Sequence, residues 1–213
     1  MKVAVIGANG KSGKLVVKES LSKGFETTAI VRNAKSITDK KISIINKDIA
    51  SLTKDDLSGF DAIVNCFGTW TEETLPLHKK YEEHLCDLLS GTNTRLIVVG
   101  GAGSLYLNKE HTMQLFQSPE FPKEYLAIAT SQVDELAYLR TRNDVKWTFF
   151  SPAAIFDPEG KRTGKYTLGG EEFIVNKANE SYISYADYAI ALIDEIKNAK
   201  FIQKRFTAVA DKI

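Results

Sequence analysis

Short apolar runs punctuate this chain at regular intervals. They occur at residues 3–6, 27–31, 42–45, 62–66, 96–99 and 147–150, with a late one at 205–210. The runs are rich in Val and Ile and do not alternate strictly with polar residues. That pattern predicts strands buried on both faces of a parallel sheet. Between them the apolar period lengthens to that of a helix. Leu15, Val17 and Leu21 mark a first helix, closed by Gly24; Leu77, Tyr81, Leu85 and Leu88 mark a second, with Gly91 just beyond. A third runs through Tyr125, Ile128, Gln132, Leu136 and Leu139, and a fourth through Ala189, Ile190, Ile193 and Ile196. Ser184 and Asp187 have capping-box spacing at the start of the fourth.

Alternation of this kind predicts an α/β fold: a Rossmann-type, doubly wound, mostly parallel sheet with helices on both faces. The rhythm breaks over residues 153–181, a glycine-rich stretch too long for a simple connection. We therefore expect one domain over residues 1–213, with residues 153–181 forming a small irregular C-terminal lobe over the sheet's carboxyl edge.

Composition narrows the function classes. A net charge of +1 without a basic stripe argues against nucleic acid as a partner. No apolar run is long enough for a membrane span. The N-terminus, Met1-Lys2-Val3, enters a strand-like run at once and lacks the layout of a signal peptide. Cys66 and Cys86 have no metal or redox spacing, and there are only three histidines, so no metal site is expected. A reducing, cytoplasmic setting fits these features. Oligomeric state is left open.

The chemistry concentrates after the first strand, in Gly7-Ala8-Asn9-Gly10-Lys11-Ser12-Gly13. A strand, three glycines at GxxGxxG spacing and a helix form the context of a pyrophosphate cradle. One glycine makes the tight turn, one admits the phosphates and one lets the helix pack close to the strand. The helix N-terminus then offers free N–H groups and the positive end of its dipole. The second strand ends at Arg32, 25 residues on from Gly7. A carboxylate there would bind ribose hydroxyls, whereas a guanidinium can fork onto a 2′-phosphate. NADP(H) is therefore favoured over NAD(H), with Lys11 and Lys35 adding positive charge nearby.

Together "GANGKSG", "VRN", "KDI", "VVGGAGSL" and "SPAAIFDPEGKRTGKY" resemble the atypical short-chain dehydrogenase/reductase group. The nearest branch is the NmrA-like, NAD(P)H-binding one that includes bacterial NADH-flavin reductase-like proteins and the biliverdin-IXβ/flavin reductase type. The resemblance implies that Asp48 and Ile49 flank the adenine. It implies that Cys66, Phe67 and Gly68 pass the ribose and nicotinamide, that Gly100 to Ser104, Gly101 included, line the nicotinamide, and that Ser151-Pro152-Ala153 close over it. Ser104 would hydrogen-bond the substrate carbonyl.

Classical short-chain dehydrogenases/reductases use a Tyr-x-x-x-Lys pair on the helix after the fifth strand for proton transfer, and none of the eight tyrosines here is followed four residues later by Lys. Two readings remain. One is a reductase passing hydride to a flavin, quinone or small conjugated carbonyl, with protons drawn from solvent; it predicts an apolar pocket beneath the 153–181 lobe. The other is a non-catalytic NADP-binding redox sensor with little or no pocket. An epimerase or dehydratase fits less well, because the lobe is small and the Tyr/Lys pair is missing. Phe67 and Trp70 are candidates for an aromatic wall or for core packing. Tyr125 reads as buried, His111 as surface, Arg162 and Lys165 as solvated turn residues, and Tyr182, Tyr185 and Tyr188 as a strand end and helix start.

Overall fold

A computed structural model describes residues 1–213. Its strands are β1 (Lys2–Ile6), β2 (Glu26–Val31), β3 (Ser43–Asn46), β4 (Ala62–Asn65), β5 (Arg95–Val99), β6 (Lys146–Ser151), β7 (Ile155–Asp157), β8 (Thr167–Gly169), β9 (Tyr182–Ser184) and β10 (Lys204–Val209). The helices are α1 (Lys11–Ser22), α2 (Leu77–Leu89), α3 (Leu126–Leu139) and α4 (Tyr185–Asn198). No helix is long and apolar enough to cross a membrane.

Eight strands form one sheet in the order β3-β2-β1-β4-β5-β6-β10-β8, parallel except where β8 runs against β10. This is the doubly wound, Rossmann-like arrangement that the alternating pattern predicts. The strands sort their side chains by the two-residue pleat. Val3, Val5, Ala29, Val31, Ala62 and Val64 pack towards α1 and α4. Ala4, Ile6, Ile30, Ile63, Leu96 and Val98 pack towards α2 and α3. Both faces being buried, the central strands β1, β2, β4, β5 and β6 read as nearly continuous apolar runs, whereas the edge strand β3 is largely exposed.

Helix ends obey the local chemistry. Ser184 caps α4, its Oγ accepting the Asp187 N–H at 3.0 Å. Gly24, at φ +75°, ends α1; its N–H donates to the Leu21 carbonyl and that of Phe25 to the Ser20 carbonyl. A buried guanidinium ties the layers together. Arg95 of β5 donates to the Glu195 carboxylate of α4 and to Thr148 Oγ1 of β6, each at 2.7 Å.

The stretch at 153–181 carries two strands that its composition does not reveal. β8 adds to the sheet edge beside β10, and β7 pairs with β9 in a separate two-stranded ribbon. Asp187, wholly buried, accepts N–H groups from Thr163 and Gly164 and so fastens the intervening turn to α4. Arg162 is not merely solvated, since it bridges to Glu19 of α1 at 3.1 Å.

β1, β4, β5 and β6 all end at the same sheet edge, and strand order reverses between β1 and β4. The loops leaving those two strands therefore diverge and open a crevice.

Candidate functional site

The glycine loop leaves β1 at that crevice. Gly7 has φ +69°, and a Cβ on it would lie 2.9 Å from the Cys66 carbonyl oxygen. A Cβ on Gly13 would fall inside the Gly7 carbonyl oxygen, so this glycine lets α1 press against its own loop. Gly10 is the N-cap of α1 and brings no side chain, and no acidic residue lies in the first turn. The first N–H groups of α1 have no intrahelical acceptor and an unopposed positive dipole end.

Two cavities meet at this loop. The smaller, of about 230 Å³, runs along the ends of β1 and β2 and is lined by Gly7, Asn9, Gly10, Arg32, Asp48 and Ile49 among others. The larger, of about 910 Å³, opens above β4, β5 and β6, with Lys11, Ser12, Gly101 and Pro152 in its lining. Gly10, Cys66, Phe67 and Gly68 line both, so the two form one trough. Arg32 is exposed and forms no ion pair. Asp48 accepts from the Ala50 N–H at 3.0 Å and weakly from the Tyr81 hydroxyl at 3.4 Å. A dinucleotide site needs a long groove, a glycine-rich backbone turn at a helix N-terminus and a cation at one end, and the trough has all three.

The walls of the larger cavity are mainly apolar. Leu115, Phe121, Pro122 and Tyr125 stand on one side, Phe156 and Tyr185 on the other, and Trp70 lies at 68% exposure among the lining residues. Its covering wall comes chiefly from residues 115–125, between β5 and α3. From the 153–181 stretch only Ala153, Ala154 and Phe156 contribute. The pocket expected beneath that stretch is thus framed mostly by another segment, because β8 is drawn to the sheet edge by its pairing with β10.

Phe67 lies in the trough and meets His78 and Tyr81 edge-on, at 5.4 and 4.9 Å between ring centroids. Its N–H donates to Asn65 Oδ1 at 3.0 Å, and Asn65 Nδ2 donates to Glu82 Oε2 at 2.9 Å. Glu82 and Glu135 are buried between α2 and α3, each with one carboxyl oxygen lacking a partner. Burial raises both carboxyls, Glu82 to about 7 and Glu135 well above the usual range, where the neighbouring Glu82 adds to the effect. Burial also holds His78 towards its neutral form. It pushes the Cys66 thiol up to about 12, which suits a small filler rather than a nucleophile.

Of the residues expected at the site, Gly13, Lys35, Ser104 and Ser151 lie outside the cavity linings. Gly13 acts from beneath, through packing. Ser104 is buried, and its Oγ accepts from Arg205 Nη1 at 3.1 Å. The short helical turn at Ala102–Ser104 rotates it away from the cavity and towards β10. Tyr125 is half exposed rather than buried, because the apolar stripe of α3 divides. Leu136 and Leu139 enter the core, while Tyr125, Ile128 and Gln132 face the cavity. Tyr185 and Phe156 are lining residues that the sequence pattern does not single out. His111 is at the surface, paired with Glu172 at 2.8 Å.

The similarities to known proteins agree with this geometry. A family model described as NAD(P)H-binding matches residues 7–199. The chain is 46% identical over 212 residues to the uncharacterized protein YwnB of Bacillus subtilis, covering 99% of each. It resembles the crystal structure of a Streptococcus pneumoniae protein named a putative NADH-flavin reductase, at 50% identity and a TM-score of 0.95, over 99% of this chain and 100% of that one. It also resembles a Bacteroides thetaiotaomicron protein named a putative epimerase, at 34% identity and a TM-score of 0.86, over 100% and 99% of the two chains.

Proposed function

This chain belongs to the NAD(P)H-binding family, and we propose that it is an oxidoreductase passing hydride from NADPH to a flavin, quinone or small conjugated carbonyl. One observation carries the reading: the groove beside the glycine loop and the N-terminus of α1 continues without a break into an apolar chamber of about 910 Å³. A sensor that only bound the dinucleotide would need the groove and not the chamber. The name of the pneumococcal relative supports a flavin as acceptor.

In this reading Gly7, Asn9, Gly10, Lys11, Ser12 and Gly13 would hold the pyrophosphate, Asp48 and Ile49 the adenosine end, and Arg32 a 2′-phosphate. Cys66, Phe67, Gly68, Gly101 and Pro152 would border the nicotinamide. A bound reduced nicotinamide supplies the hydride. The protein's task is to hold a flat acceptor against it between apolar walls, a matter of proximity and orientation more than of acid–base chemistry. Ser104 is not among the residues we assign to it.

Mixing purified protein with NADPH, and separately with NADH, tests the reading. The absorbance of the reduced nicotinamide is followed after adding FMN, riboflavin or a simple quinone. Turnover that is faster with NADPH is the expected result. Tight nucleotide binding without turnover across that set would favour the redox sensor, and no binding of either nucleotide would defeat the assignment.

A further inference from the structure

We infer that the Tyr185 hydroxyl is the hydrogen-bond donor that meets the acceptor's carbonyl edge in the larger cavity; the inference rests on the reductase reading above. Of the eight tyrosines, five have their hydroxyls engaged within the protein. Tyr81 bonds to Asp48, Tyr166 to Asp194, Tyr182 to Asp157 and Tyr188 to the Phe150 carbonyl, while Tyr138 accepts from Arg142. Tyr106, Tyr125 and Tyr185 are left without a partner. Tyr106 is not part of the cavity lining, and Tyr125 is half exposed at the start of α3. Tyr185 alone joins an unpartnered hydroxyl to a sheltered place in the cavity wall.

Its position is fixed. Tyr185 is the first residue of α4, immediately after the Ser184 cap, and its ring packs on Phe156 with centroids 3.9 Å apart. Both rings line the same cavity as Lys11, Ser12 and Pro152. A sheltered phenol that leaves its O–H unbonded forgoes part of its hydrogen-bonding free energy unless a ligand completes the bond. Burial raises its pKa, so the group stays protonated and able to donate at neutral pH.

The acceptors proposed share a conjugated carbonyl. When hydride adds to the conjugated system, its electron pair pushes negative charge onto that carbonyl oxygen and the atoms conjugated with it, and the reduced acceptor then takes a proton from solvent. Two electrons and one hydrogen leave the nicotinamide, and one further proton comes from water. Tyr185 keeps its own proton throughout, and its hydrogen bond strengthens as negative charge gathers on the oxygen.

Tyr185→Phe keeps the ring and its stacking on Phe156. Riboflavin binding is read from quenching of riboflavin fluorescence, and kcat/KM is measured with riboflavin and with a simple quinone. The expected result is weaker riboflavin binding and a loss of kcat/KM on the order of tenfold, with NADPH affinity unchanged. Tyr106→Phe, which removes an unpartnered hydroxyl outside the cavity, should leave all three values as they were. Equal riboflavin affinity and kcat/KM in Tyr185→Phe and wild type would overturn the inference alone, as would a loss seen in Tyr125→Phe instead. A wild-type protein that binds NADPH yet reduces no acceptor would overturn the reductase reading and this inference with it.

Discussion

Arg205 and Ser104 meet inside the molecule, the guanidinium donating from Nη1 to the serine hydroxyl oxygen at 3.1 Å. The arginine is fully enclosed on β10. Its other donors go to Glu171, to the carboxylate at 2.6 and 3.0 Å and to the backbone carbonyl at 2.9 Å. Ser104 therefore completes the coordination of a buried cation that pins the turn after β5 to the far side of the sheet. A buried charge tolerates few missing partners.

Ser104→Ala leaves one N–H of that cation unpaired. The expected cost is about 1–3 kcal/mol of stability, measured by urea unfolding. Turnover of the folded variant should stay within about twofold of wild type, the spread of context-dependent effects on a residue without substrate contact. A hundredfold loss of kcat at unchanged stability would return Ser104 to the reacting centre.

The Glu82 and Glu135 pair makes stability depend on pH. Both carboxyls are raised in the folded state, so the folded protein binds protons more tightly than the unfolded chain. Their stabilising effect is complete below the ordinary carboxylate pKa and is lost as pH rises through about 7, the value to which Glu82 is raised. Glu82→Gln keeps an oxygen to accept from Asn65 and removes the charge. It should raise the melting temperature relative to wild type at pH 8 and much less at pH 5, with a gain on the order of 2 kcal/mol at the higher pH. Equal shifts at both pH values would show that the pair does not titrate in this range.

Much of this was legible in the sequence, for a physical reason. In a two-faced parallel sheet a strand is apolar throughout, so the seven main strands and the glycine loop announce themselves. Arg32, Asp48 and Phe67 lie at strand ends, where the topology alone brings them to one edge. The wall of the larger cavity was not legible. Phe121 and Pro122 sit in an irregular segment with no period to read, and Tyr185 looks like any aromatic at a helix start. Ser104 misled because a residue after a strand is brought to the right edge without its direction being set. One turn of tight helix at Ala102–Ser104 sends its hydroxyl the other way.

The glycines of the loop should differ in what they protect. A methyl group at Gly13 would meet only backbone atoms, among them Gly7 C at 2.9 Å and Ala8 Cα at 3.0 Å, none of which can swing aside. Gly13→Ala should lower stability by about 1–3 kcal/mol and abolish measurable NADPH binding. Gly10 has an ordinary negative φ and a single close neighbour, the Gly7 carbonyl oxygen at 3.2 Å. Gly10→Ala should leave the unfolding midpoint nearly unchanged while weakening NADPH, because its methyl group faces the trough. Equal loss of stability in both variants would mean that neither glycine is there for the ligand.

Arg32 offers the sharpest discrimination, because one phosphate separates the two nucleotides. The side chain is exposed, lines the smaller cavity and has no ion pair to give up. A 2′-phosphate placed there would gain a forked, charge-assisted contact, tempered by solvent screening at an exposed position. Arg32→Ala should raise the Kd for NADPH by about tenfold while moving that for NADH by less than about twofold. Adding salt should narrow the gap between the nucleotides in the wild type and have little effect on it in the variant, since only the wild-type gap is electrostatic. Arg32→Asp goes further, putting a carboxylate where it would repel the phosphate and accept from the ribose hydroxyls, and should turn the preference towards NADH. Isothermal titration with both nucleotides at two ionic strengths reads all of these at once. If all three proteins bound NADPH and NADH in the same ratio, the guanidinium would not touch the phosphate, and Asp48 on the same cavity wall would become the residue to examine for ribose recognition.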